Sequence, residues 1–194
     1  MKLGYPNNRQ KRSIRILFWF FFFLTIALSQ YALAEKIIVE GMVTKVSDGD
    51  TVQVITDNHT KLKVRLSGID CPETPKINQR TRKTNKIGQP FGQEAHDFMT
   101  DMILGERVKI VVYGRDKYRR DLGFIFKDGL NINLELVKKG LAEVYRGKGT
   151  IKVYRIELEK AEKEARNNHR GIWTLGEKYE SPAEFRKRMK IRGG

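Results

Sequence analysis

The sequence predicts an α+β fold, a five-stranded β-barrel carrying about three α-helices, on three observations. Five short runs of β-forming residues, separated by turn residues, lie between Ile37 and Phe126. Apolar residues recur at helical spacing in other stretches, most clearly after Gly92 and after Lys152. The chain of 194 residues is 40% hydrophobic and 31% charged with a single cysteine, Cys71, so it must be held by a packed core and not by an internal disulfide.

The N-terminus reads as an address. Lys2, Arg9, Lys11, Arg12 and Arg15 precede Ile16–Leu28, 13 apolar or near-apolar residues. That is short for a membrane span, which needs about 20 residues, and right for a signal-peptide core of about 7 to 15. Ala32-Leu33-Ala34 supplies a small-x-small cleavage pattern, so residues 1–34 are expected to direct export to periplasm, cell surface or medium and to be removed. An uncleaved anchor is the alternative, and it is the one route by which a membrane would be a partner.

The barrel strands follow. Ile37–Val46, Thr51–Thr56 and Lys61–Leu66 are joined by Asp48-Gly49-Asp50 and Thr56-Asp57-Asn58-His59, and Lys61–Leu66 alternates strictly. Arg107–Tyr113 and Leu122–Phe126 complete the five. The first helix is marked by Ala95, Phe98, Met99, Met102 and Ile103 and stopped by Gly105. A second starts near Asn131 or Asn133 and stops at Gly140. The third runs from Lys152 to Asn168 on Tyr154, Leu158, Ala161 and Ala165, its charged faces reading as solvated surface, before a stop at Gly171-Ile172-Trp173. Five strands with helices in this order suit a small OB-fold barrel, an architecture that commonly holds oligonucleotides. Residues 35–175 are therefore expected to form the domain. Residues 176–194 read as a basic tail, and Pro75–Pro90, with Lys76, Arg80, Arg82, Lys83 and Lys86, as a long basic loop that either grips a polyanion or is simply solvated.

Charge narrows the function. With 38 Lys+Arg against 23 Asp+Glu the formal charge is +15, and loss of the five N-terminal cations still leaves +10. The partner is then a polyanion, nucleic acid or an anionic membrane surface. Asp50, Asp70 and Glu73 stand at turns and strand ends, the right chemistry for a hard cation with oxygen ligands. His59, His96 and His169 lack metal-ligand spacing, and Cys71 reads as a buried small residue before it reads as a nucleophile. Turn chemistry alone explains acids beside glycine and proline. Arg65 and Asp116-Lys117-Tyr118-Arg119-Arg120 add what phosphodiester cleavage needs, guanidiniums for phosphoryl oxygens beside a carboxylate for water.

Six motifs then resemble, in order, the thermonuclease or staphylococcal nuclease family: Val46-Ser-Asp-Gly-Asp-Thr-Val52, Val64-Arg-Leu-Ser-Gly-Ile-Asp-Cys-Pro-Glu73, Gly92-Gln-Glu-Ala95, Asp116-Lys-Tyr-Arg-Arg120, Gly140-Leu-Ala-Glu-Val-Tyr145 and Arg170-Gly-Ile-Trp173. The resemblance implies a monomeric, SNase-like OB-fold enzyme that hydrolyses DNA and RNA with Ca²⁺ and little sequence preference, leaving 3′-phosphate ends. It implies that Asp50, Asp70 and the backbone carbonyl of Cys71 bind calcium. Glu73 matches the general base or water-orienting glutamate, Arg65 and Arg120 the phosphate-binding arginines, and Lys117, Tyr118 and Tyr145 the nucleotide contacts. Arg119 stands where the motif usually has glycine, which leaves the choice between Arg119 and Arg120 open, and Asp121 is positioned to neutralise either. A non-catalytic OB-fold binder of nucleic acid is the alternative. Retention of three acids beside the arginines argues against it.

Overall fold

The computed structural model describes residues 36–77, 80–81, 84–147 and 152–192. The expected signal or anchor lies outside the described residues, among which no helix is long and apolar enough to cross a membrane.

Strands β1 (Ile37–Asp48), β2 (Thr51–Thr56) and β3 (Lys61–Leu66) form an antiparallel meander. Strand β4 (Ile69–Asp70) turns away from it, and β5 (Lys76–Ile77) pairs with β6 (Thr84–Lys86) as a small hairpin inside the expected basic loop. Helix α1 (Gly92–Ile103) leads into the long antiparallel pair β7 (Arg107–Arg115) and β8 (Asp121–Lys127). β7 pairs with β1, and β8 closes the barrel by running parallel to β3, which gives the five-stranded OB-fold. Beyond it lie β9 (Leu130–Asn131), α2 (Ile132–Lys138), β10 (Glu143–Val144), α3 (Arg155–Asn167), a 3₁₀ stretch (Gly171–Lys178) and α4 (Pro182–Arg192).

The alternation anticipated in the strands is the pattern that fills the barrel. Val43, Val52, Val54, Val64, Leu66, Ile110 and Phe124 are buried, and α1 adds Ala95, Met99 and Ile103 from one face. Helix α1 ends where expected, with Gly105 in the left-handed conformation (φ 76°) and its N–H donating to the Val43 carbonyl at 2.9 Å. At the start of α2, Asn131 is the cap, its side chain accepting from Leu134 N–H. Asn133 is fully buried and ties the barrel together: its amide oxygen accepts from Ile125 N–H at 3.1 Å and its NH₂ donates to the Ser67 carbonyl at 2.9 Å.

Two expectations change. The 170–173 segment continues into the 3₁₀ stretch, where Ile172 and Trp173 form a second apolar cluster with Ala165. On α3, Glu162 is buried although Glu157, Glu159 and Glu164 of the same helix are exposed, because it accepts from Val144 N–H at 2.8 Å and from Arg146 at 2.6 Å. That contact anchors β10, whose Glu143 pairs with Asp70 of β4, so a buried glutamate on α3 helps to fix an acid of the site.

Candidate active site

The acids converge because three backbone turns meet. Asp50 sits in the β1–β2 turn, and its carbonyl accepts from Leu66 N–H at 2.8 Å. Gly49 makes that approach possible, since a Cβ there would lie 2.7 Å from the Ala95 Cβ and 3.1 Å from the Cys71 Cβ. Asp70 follows one residue into β4. Glu73 is held by its main chain: its N–H donates to the Gln89 side chain at 3.1 Å and its carbonyl accepts from Gln89 N–H at 2.8 Å. Gly92 at the start of α1 is required by the same packing, because a Cβ there would collide with the Glu73 carbonyl.

Arg65, at the end of β3, spans the first two acids with one guanidinium, Nη1 donating to Asp50 Oδ2 at 2.5 Å and Nη2 to Asp70 Oδ1 at 2.8 Å. Burial pushes the Asp50 carboxyl up from its ordinary range, Arg65 opposes that shift, and the like charge of Asp70 adds to it. Burial, with Asp50 and Asp70 adding, also pushes the Cys71 thiol well up, so the thiol is an inert, buried group as expected. For Glu73 burial is outweighed by hydrogen bonds from Lys86 and Arg186, which hold its carboxyl below the usual glutamate range and keep it ionised at neutral pH.

A cleft of about 720 Å³ opens beside these acids. Arg65, Lys117, Tyr118, Arg120, Tyr145 and Arg186 line it, so five of the expected residues face one space. The turn between β7 and β8 decides which arginine enters. Asp116 Oδ1 accepts from Tyr118 N–H at 2.9 Å and Arg120 N–H at 3.0 Å, and its Oδ2 accepts from Arg120 Nε at 2.7 Å. Arg120 therefore points along the cleft, with Nη1 3.5 Å from the Thr51 hydroxyl. Arg119 is exposed and left-handed (φ 60°), which accounts for glycine being usual at that position of the motif. Asp121 neutralises neither arginine: the β7–β8 register places it opposite Arg115, which donates to it at 2.8 Å.

The donor set is all oxygen and suits a hard divalent cation. Two buried carboxylates that repel each other lie within the reach of a single guanidinium, and they would hold the ion together with the Cys71 carbonyl next to Asp70. Among the described residues no cluster of three or more acidic, histidine or cysteine side chains is already assembled.

Three partners were not foreseen. Lys86, from β6, pairs with Glu73, and Asp116 orients Arg120. Arg186, on α4, donates to Asp70 Oδ2 at 2.7 Å, to Asp70 Oδ1 at 3.1 Å and to Glu73 Oε1 at 2.9 Å. Lys76 reaches Asp48 at 3.7 Å, so Lys76 on β5 and Lys86 on β6 both pair with acids at the site's edge.

Known proteins place the chain in a family. A family profile described as Staphylococcal nuclease homologue matches residues 63–175. An uncharacterized endonuclease of Haemophilus influenzae is 32% identical over 149 residues, covering 77% of this chain and 74% of its own. An uncharacterized endonuclease of Escherichia coli O157:H7 is 33% identical over 137 residues, 70% of this chain and 78% of its own. A staphylococcal-like nuclease of Arabidopsis thaliana is 37% identical over 134 residues, which are 69% of this chain and only 35% of that longer protein. The profile spans more than half of the chain and includes the strands and turns that carry Arg65, Asp70, Glu73, Arg120 and Tyr145, and on that ground the chain belongs to the staphylococcal nuclease homologue family.

Proposed function

We propose that this nuclease hydrolyses phosphodiester bonds of DNA and RNA in a Ca²⁺-dependent reaction with little sequence preference, leaving 3′-phosphate ends, and that it works as an exported monomer. The observation that carries the reading is the two-sided cleft, with buried acids bridged by Arg65 at one end and Arg120, Lys117 and Tyr118 on a turn at the other. Asp50, Asp70 and the Cys71 carbonyl hold the cation, which supplies charge stabilisation to a phosphoryl oxygen when bound. Glu73, ionised at neutral pH, accepts a proton from the attacking water. The water oxygen forms the new bond to phosphorus as the bond to the 5′ oxygen breaks. Arg65 and Arg120 donate to the phosphoryl oxygens the guanidinium hydrogens that Asp50, Asp70 and Asp116 leave over, while negative charge builds on those oxygens, and a proton from solvent completes the 5′-hydroxyl. Lys117 binds a neighbouring phosphate, and Tyr118 and Tyr145 offer ring faces to the bases, which every base can use and which therefore confers little sequence preference.

Support for export comes from the N-terminal cations, apolar run and Ala32-Leu33-Ala34 pattern. The direct test incubates the purified chain with plasmid DNA and with RNA, in Ca²⁺, in Mg²⁺ and in chelator. The expected products appear with Ca²⁺ only, and DNA ends are extended by a polymerase only after phosphatase treatment. Cleavage undiminished by chelator overturns the metal reading. Tight, salt-sensitive binding with no cleavage in any condition would leave a non-catalytic binder.

A further inference from the structure

The acids are already neutralised. Asp50, Asp70 and Glu73 are paired with three cations, Arg65, Arg186 and Lys86. All six carboxylate oxygens accept: Asp50 Oδ1 from the Thr51 hydroxyl, Asp50 Oδ2 and Asp70 Oδ1 from Arg65, both Asp70 oxygens and Glu73 Oε1 from Arg186, and Glu73 Oε2 from Lys86. A divalent ion entering this set would carry two uncompensated positive charges into a place where Asp70 has no exposure. Uncompensated charge is very costly at such a depth, so a resident cation has to leave as the ion arrives.

The three cations are not equally able to leave. Arg65 belongs to the barrel wall and bridges both buried acids. Lys86 touches Glu73 and neither aspartate. Arg186 shares Asp70, is 41% exposed, and sits on a helix that has other attachments. Helix α4 is held by the buried Phe185 and by Gln89 Nε2 donating to the Glu180 carbonyl at 3.0 Å, and its first turn is closed by the Ser181–Glu184 reciprocal cap. Arg186 can therefore let go by a side-chain movement while α4 stays in place, and it lines the cleft, so a substrate phosphate is the next anion within its reach.

We infer that Arg186 is a tethered stand-in for the metal: α4 seats its guanidinium on Asp70 and Glu73, and a divalent cation binds these carboxylates only by displacing it. This rests on the proposed cation site. It makes the C-terminal helix a brake that sets how much cation the enzyme needs. An internal competitor that occupies the site most of the time weakens apparent affinity by the fraction of time it leaves the site open.

The test is Ca²⁺ binding by calorimetry, without substrate, to the intact chain and to Arg186→Gln and Arg186→Lys variants whose melting curves show them folded. Arg186→Gln is expected to bind Ca²⁺ about tenfold more tightly or better. Arg186→Lys, which keeps the charge but loses the fork, should fall between, and it serves alone if the glutamine variant does not fold. The Arg186 guanidinium resonances of the wild type should shift with Ca²⁺ while the Phe185 amide stays protected from hydrogen exchange. Equal Ca²⁺ affinity in all three chains overturns the inference and leaves the cation site standing. Weaker binding by Arg186→Gln also overturns it, since Arg186 would then help to build the site. No Ca²⁺ binding by any chain overturns both.

Discussion

The two sides of the cleft hold their charges in opposite ways. Asp50 and Asp70 are buried at strand ends, tied through their own backbone to β3 and β10, and clamped by Arg65. Lys117, Tyr118 and Arg120 ride on a turn outside the barrel, with Tyr118 67% exposed and Arg119 in a left-handed conformation. The acids must be pre-positioned, because like charges brought together during a reaction would meet their full repulsion at that moment. The opposite side must adapt to substrates of varied sequence, and the exposed Lys117 and the exposed Tyr118 ring do so with little reorganisation.

That contrast predicts a graded series. The largest effect belongs to the acidic side: Glu73→Gln or Arg65→Ala should lower kcat by about 10² to 10³, while affinity for a cleavage-resistant oligonucleotide changes little. Equal losses in turnover and binding would erase the distinction between the two sides. Tyr118→Ala should act the other way, raising KM by about tenfold, the lower part of the range for loss of one stacked base, with kcat kept. Steady-state kinetics on single-stranded DNA separates the two. The smallest effect is structural. Arg119→Gly should raise stability by about 1 kcal/mol by relieving a left-handed backbone, seen as a higher Tm with activity retained. A fall in Tm would mean that the Arg119 side chain holds the turn.

Much of the barrel was legible in the residues. Strict alternation in Lys61–Leu66, with Val64 and Leu66 inward, specified β3, and the stripe on α1 specified its buried face. The two-residue strands β4 and β10 were not legible, since a pair of residues has no period. Glu162 looks like any other acid on α3, and only the position of β10 makes it a buried anchor. Asp121 was the expected partner of the arginines, whereas Asp116 takes that place. Strand register separated them, because a residue opposite Arg115 on β8 has no reach into the cleft. Helix α4 did carry a local signal, Ser181-Pro182-Ala183-Glu184, a capping box with proline at the first helical position, which the surrounding basic residues obscured.

The sequence by itself therefore determined the five barrel strands and the first three helices, the motif order, the family resemblance and the acids and arginines expected to do the chemistry, because turn propensity and apolar period act over a few residues. Only the tertiary structure decided which charges meet. Arg186 and Asp70 are 116 residues apart and Arg65 and Asp50 are 15 apart, yet both guanidiniums share the same carboxylate cluster. Coulomb attraction and burial depend on distance through space, which the packed barrel sets and the spacing along the chain does not.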